Sequence, residues 1–266
     1  MQQNWPECIA FTLSFEGGYD ANPKDRGNWT SGVIGKGTLK GTKYGIAAHV
    51  YPGVDIKNLT RDQAVLIYQT DYWPKVAGDR QPAGVDLIAW DICVNSGASR
   101  ALSIEAKALG SAVKTGAGLA AVAQASPDKV ALVKSMCAHR AAFYRGLSTF
   151  STFGKGWLRR NAAAEAKGVT LALKATPATP AEIKKRLQAE GGKAGTAAKA
   201  NGTAAGVSGA SPAAPAAQDT AWALDWATAG KVGMILILIG VAVYFVRKFI
   251  QHRERQNAYA EAAKGV

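Results

Sequence analysis

Three cysteines and three histidines in 266 residues leave little material for sulfur or metal chemistry. Cys8, Cys93 and Cys137 are odd in number, far apart and set in apolar helical patterns, which argues against a disulfide framework or a zinc site. His49, His139 and His252 share no ligand spacing, so no metal or other cofactor is expected, and no Cys/His or Ser/His nucleophile pair stands out. The N-terminus shows neither a basic n-region nor an apolar h-region, so no ordinary secretion signal is expected. Acidic residues are also scarce, 19 against 32 basic, for a net charge of +13. That excess is spread along the chain and suits a polyanionic partner: nucleic acid, anionic lipid, or a cell wall bearing carboxylates and phosphates. With no Cys/His finger and no aromatic ribonucleoprotein strand, nucleic acid is not expected.

What is present begins with Phe15-Glu16-Gly17-Gly18-Tyr19. Asn4-Trp5-Pro6-Glu7 reads as a capped helix start, and Ile9, Phe11 or Thr12, Leu13 and Phe15 follow at a spacing nearer helix than strand. The paired glycines are expected to end that helix and to leave Glu16 in its last turn. There the helix dipole favours a carboxyl that keeps its proton, as a general acid requires, although most carboxylates near helix ends are ordinary solvated residues. A glycine-punctuated stretch over residues 20–42 reads as a small hairpin or irregular sheet. Thr60-Arg61-Asp62-Gln63 is a capping box that opens a helix to about Trp73. Residues 85–94 are apolar apart from Asp86 and Asp91, as expected of a central buried helix. Residues 99–109 form the next helix, 110–118 a loop, and Ser126-Pro127-Asp128 caps a long helix. A last helix is expected from Gly154 to about Lys167. The fold class is α+β, mostly α.

Beyond Ala175 the composition turns to Ala, Gly, Ser, Thr and Pro, which reads as a flexible linker over 171–220 with at most one isolated helix at 181–190. Residues 232–246 are an uninterrupted apolar run, about 23 Å as a helix against a hydrocarbon core of about 30 Å. Extension back to Trp226, with Lys231 snorkelling, makes residues 226–246 long enough for a lipid bilayer, within an anchor over 221–250. Arg247, Lys248, Arg253 and Arg255 follow, leading into a basic tail at 251–266, and this charge asymmetry puts the C-terminus on the cytoplasmic side.

Glu16-Gly17-Gly18-Tyr19, Asp25, Thr42-Lys43-Tyr44-Gly45-Ile46, Asp71-Tyr72-Trp73, Trp90-Asp91-Ile92-Cys93-Val94-Asn95-Ser96-Gly97 and Phe153-Gly154-Lys155-Gly156-Trp157-Leu158 follow one another in an informative order. In that order the chain resembles the N-acetylmuramidases of the glycosyl hydrolase 108 family, over about residues 5–168. The resemblance implies a lysozyme-like domain at 1–95, a helical peptidoglycan-binding-like region at 96–170, and cleavage of peptidoglycan between N-acetylmuramic acid and N-acetylglucosamine. It places the catalytic acid at Glu16, with Asp25 and Thr42 at the family's aspartate and threonine positions. More residues separate Asp25 from Thr42 than in typical members, with Arg26 where proline is usual, and Asp20 competes for the second carboxylate. Residues 110–118 lack the family's binding-repeat pattern.

Glycan cleavage needs an acid for the leaving oxygen and a group on the opposite face that supplies or steadies the attacking water. Glu16, Asp25 and Thr42 fill these roles in this reading. Tyr19, Trp29 and Tyr44 are candidates for stacking on sugar faces, with core or loop packing equally compatible, and Asn95 is a further substrate contact. Two rivals remain open: a lytic transglycosylase, and a non-catalytic wall-binding or virion structural protein. The expected partners are glycan strands, a bilayer and virion or lysis-system proteins. Placement is in a phage or host inner membrane, with the catalytic domain facing the wall.

Overall fold

The computed structural model describes residues 4–204 and 226–266. The chain divides into two compact units, Met1–Phe143 with Lys167–Pro177, and Tyr144–Ala166 with Ala178–Val266.

In the first unit, helix α1 (Trp5–Leu13) carries Pro6 in its first turn as expected, but Asn4 makes no side-chain cap. Asn4 has helical backbone angles and sends its side-chain amide to Asp86 Oδ2 at 2.9 Å instead. The helix also stops earlier than expected, and the glycines do not stop it. Ser14 Oγ donates to Phe11 O at 2.6 Å, and the amides of Phe15 and Glu16 turn back to Thr12 O and Leu13 O, three residues away. A hydroxyl that competes for a helix carbonyl loosens the i to i−4 ladder in this way. Glu16 therefore lies past the helix, on a tight turn, and neither Gly17 nor Gly18 takes a left-handed conformation.

The small sheet is the hairpin β1 (Thr42–Lys43) and β2 (Ile46–Ala47), paired antiparallel with Thr42 opposite Ala47 and Lys43 opposite Ile46. Tyr44 and Gly45 form its two-residue turn at φ 51° and 78°, the doubly left-handed geometry that fits the twist of paired strands. Two isolated bridges extend it, Asp20 to Thr42 and Trp29 to Leu39. The capping box at Thr60 is present: Gln63 N donates to Thr60 Oγ1 at 3.2 Å, and Thr60 N to Gln63 Oε1 at 2.8 Å. It opens α2 (Arg61–Asp71), and Trp73–Val76 continues as a 3-10 turn.

Helix α3 (Val85–Ser96) is the buried centre, as its apolar run implies. Trp90, wholly buried, meets Trp5, Tyr68 and Trp73 edge-on at centroid distances of 5.2, 5.3 and 5.8 Å. Its indole donates to Thr12 Oγ1 at 2.8 Å, and Asp91 Oδ2 pairs with Arg140 Nη1 at 2.7 Å with both side chains fully buried. Then come α4 (Ala98–Leu109), α5 (Gly116–Ala125) and α6 (Lys129–Arg145). Helix α5 covers part of the stretch read as a loop. Thr115 caps it, accepting from Gly118 N at 3.3 Å, and it buries Leu119, Ala120 and Ala123.

Helix α7 (Phe150–Lys174) is longer than expected at both ends, and its residues are shared between the units. In the second unit the composition misled: residues 171–220 are not a linker throughout, since α8 (Pro180–Ala204) is one continuous helix. Ile183, Leu187, Gly191, Ala194, Gly195, Ala198 and Gly202 fall on its buried face. Small side chains at that spacing let a second helix approach closely, so packing replaces the apolar bulk that the composition lacks. The partner is α9 (Trp226–Lys264), whose Tyr259, Gln256 and Phe249 face Gly191, Gly195 and Gly202. Glu165 of α7 is locked to α9 by Arg255, with Nη2 to Oε1 at 2.6 Å, and by Tyr259 Oη at 2.8 Å.

Among the described residues no helix is long and apolar enough to cross a membrane. The span expected over 221–250 lies partly outside the described residues, and so does the end of the linker after Ala204.

Candidate active site

Glu16 is held from two sides. Gly17 O accepts from Tyr44 N at 3.2 Å, which ties the chain after Glu16 to the hairpin turn. Gly45 then lies directly against the carboxylate: a Cβ there would sit 2.7 Å from Glu16 Oε2 and 2.3 Å from the Tyr68 hydroxyl. Tyr68, 1 % exposed, donates to Tyr44 O at 2.9 Å, and its ring continues into Trp90 and Tyr72. A half-buried carboxyl, a backbone turn and the edge of an aromatic core therefore share one small space.

The second feature is a polar set behind β1. Asp20 and Thr42 exchange backbone hydrogen bonds at 2.8 and 2.7 Å. Between their side chains lies Asn28, 0 % exposed. Its Nδ2 donates to Asp20 Oδ2 at 3.0 Å and to Asn22 O at 3.1 Å, and its Oδ1 accepts from Thr42 Oγ1 at 2.7 Å. Gly41 makes the approach feasible: at φ 86°, a Cβ would come within 2.5 Å of Asp20 O.

The structure thus brings Thr42 together with Asp20, the competing carboxylate. The Asp25 carboxylate stands outside that hydrogen-bond set. It is exposed and caps the 3-10 turn Arg26–Asn28, with Oδ1 accepting from Gly27 N at 2.8 Å. Of the aromatic candidates, Tyr19 is 41 % exposed beside Gly41, and Trp29 is half-buried with its indole donating to Pro23 O at 2.9 Å. Tyr44 forms the hairpin turn, and Lys43 Nζ lies 5.5 Å from its ring centre. Asn95 is exposed in the last turn of α3, where its Oδ1 accepts from Ser96 Oγ at 3.1 Å. Sequence reasoning missed Asn28 and Tyr68, because a lone Asn or Tyr carries no motif, and it met Gly45 only inside the Thr42–Ile46 block, with no sign of its approach to Glu16.

Burial pushes the Cys93 thiol up to about 11 and the Cys8 thiol higher, so neither is a thiolate nucleophile at neutral pH. Among the described residues no group of three or more His, Cys, Asp or Glu side chains is placed to hold a metal ion.

Residues 9–97 match the family described as Glycosyl hydrolase 108. That match begins within α1, takes in the hairpin, α2 and α3, and ends before α4. The solved structure of Brucella abortus SagA is similar to this chain, with a TM-score of 0.54 and 31% sequence identity, covering 65% of this chain and 97% of that one. No curated protein matches.

Proposed function

We propose that this chain, which belongs to the glycosyl hydrolase 108 family, cuts peptidoglycan at the β-1,4 bond between N-acetylmuramic acid and N-acetylglucosamine. The observation that carries this reading is the placement of Glu16, a carboxyl fixed against the Tyr44-Gly45 turn and the Tyr68 hydroxyl beside the aromatic core. An acid held in one geometry at the edge of an apolar wall can deliver a proton to a leaving oxygen.

In the proposed reaction the Glu16 proton passes to the glycosidic oxygen as the bond from that oxygen to C1 breaks. Water adds to C1, and its proton passes to a second carboxylate, Asp25 or Asp20. Thr42 orients the water. Tyr19, Trp29, Tyr44 and Asn95 are the sugar contacts in this reading, and residues 96–170 add wall binding.

The test is digestion of purified peptidoglycan by the full chain and by its Glu16→Gln variant, with the fragments read by mass spectrometry. Reducing muramic acid ends that disappear in the variant support the reading. Anhydro-muramic ends would indicate a transglycosylase, and an unchanged Glu16→Gln digest would overturn the role of Glu16.

Attachment to a bilayer through residues 226–246 is part of the proposal. It is supported by the uninterrupted apolar run at 232–246 and the basic residues that follow. Resistance of the full chain to alkaline carbonate extraction from membranes tests it; release into the supernatant would overturn it.

A further inference from the structure

The hydrogen-bond inventory around Asn28 fixes more than a contact. Its amide faces three oxygens: Asp20 Oδ2 at 3.0 Å, Asn22 O at 3.1 Å and Thr42 Oγ1 at 2.7 Å. Asn22 O is a backbone carbonyl and can only accept, so the amide nitrogen must point toward it and toward Asp20. That choice leaves Oδ1 facing Thr42, and a carbonyl oxygen can only accept. The Thr42 hydroxyl must therefore spend its single proton on Asn28. Its oxygen is left with lone pairs alone for anything that reaches it from the half-exposed side of β1.

We infer that Asn28 is a positioning residue, one that acts through Thr42 by turning its hydroxyl into an obligate hydrogen-bond acceptor for the attacking water. The inference rests on the peptidoglycan-hydrolase reading above. Its physical content is directional. A free hydroxyl can present its proton to water and point the water's lone pair the wrong way. A hydroxyl whose proton is already committed can only draw a water hydrogen toward itself, which turns an oxygen lone pair outward for attack on C1. Asp20 completes the arrangement from behind: its side chain accepts from the Asn28 amide, and its backbone is paired to Thr42 on both sides. Asn28 itself is wholly buried and offers no surface to a substrate. Asp25 meets Asn28 only through the main chain, where the Asn28 backbone N–H donates to the Asp25 backbone carbonyl at 3.2 Å within the 3-10 turn.

A double-mutant cycle on the full chain tests this, with kcat and KM measured on soluble uncrosslinked glycan strands. Thr42→Val is expected to lower kcat by about 10²-fold. Asn28→Leu is expected to lower it by about 10-fold with KM within twofold, because a water held in the wrong orientation reacts slowly but leaves sugar binding intact. In the Thr42→Val background, Asn28→Leu should have no further effect, since the group through which it acts is gone. A merely structural Asn28 would give losses that multiply, and multiplied losses, or a change confined to KM, overturn the inference. If circular dichroism shows Asn28→Leu unfolded, the nearly isosteric Asn28→Asp takes its place in the cycle, with the same criterion for whatever loss it shows. Glu16→Gln runs in parallel and separates the two levels. A parent chain that cleaves no glycan removes the hydrolase reading itself, full activity in Glu16→Gln removes the role of Glu16, and an inactive Glu16→Gln with multiplying losses at residues 28 and 42 removes only the role of Asn28.

Discussion

Glu16 and Gly45 are in such close register that a single methyl group would part them: a Cβ on residue 45 would stand 2.7 Å from the Glu16 carboxylate oxygen and 2.3 Å from the Tyr68 hydroxyl. Residue 45 also sits at φ 78°, where an L side chain is strained. Gly45→Ala should therefore displace the carboxyl and weaken the hairpin together. The expected outcome is a loss of kcat of about 10²-fold, with a stability loss of roughly 1 to 2 kcal/mol. Kinetics on peptidoglycan and urea unfolding of the same preparation check both parts. Unchanged kcat would mean that the position of Glu16 does not depend on the turn.

The two aspartates can be separated by amide replacements. Asp25→Asn keeps a side-chain oxygen to cap Gly27 N, so the fold should be unaffected and any loss of kcat reports on chemistry. A loss of about 10²-fold or more in Asp25→Asn, with Asp20→Asn milder, identifies Asp25 as the proton acceptor. The reverse order identifies Asp20. Rates at matched substrate saturation, beside melting curves, decide between them.

Glu105 gives the first unit a pH dependence. It is fully buried, its Oε1 accepts from Gln81 Nε2 at 2.7 Å, and its Oε2 has no hydrogen-bond partner among the described residues. Burial pushes its carboxyl up to about 7, only partly opposed by the Gln81 hydrogen bond, and burial likewise lifts Asp86 to about 6. As pH rises from about 4, the unfolded chain releases these protons first, while the folded chain holds them until about pH 6 to 7. The stability they contribute is complete at the acid end of that window and is lost toward neutrality. Glu105→Gln should flatten this slope and raise stability at pH 8 by at least about 1 kcal/mol. Urea unfolding at pH 5 and pH 8 for both proteins checks it; an unchanged difference would exclude Glu105 as the source.

In the second unit, Arg255 neutralises Glu165, whose side chain is 3% exposed. Arg255→Met would leave a buried carboxylate with Tyr259 Oη still donating to it but without its guanidinium, at a cost of about 3 kcal/mol. The expected readout is an early unfolding transition with the glycan-cleaving rate unchanged at low denaturant. Equal stability of the variant and the parent chain would show that the pair contributes nothing net.

Several elements were legible because their causes are local. The Thr60 capping box needs only residues 60–63. A small hairpin over residues 20–42 is the expectation, whereas the turn that forms is Tyr44-Gly45, just beyond that stretch, where a glycine accepts the second left-handed position. The apolar run from Val85 implies a helix buried on all sides, and it is one. The family resemblance likewise rests on ordered blocks that any reader of the chain can see, and the match over residues 9–97 agrees with it.

What the amino-acid order determined, then, is the set of local turns and apolar faces, and with them the glycosyl hydrolase family. Tertiary structure decided the rest wherever an outcome depended on distant partners. Helix α1 lost its expected cap because Asp86, remote in sequence, claims Asn4. The Ala/Gly stretch before Ala204 became helix α8 because α9 offers a surface that small residues can approach closely. Asn28 became the hinge of the Asp20 and Thr42 pair for the same reason. A side chain with two donors and an acceptor has no fixed role until the fold supplies all three partners, and none of the residues that supply them adjoins it in the chain.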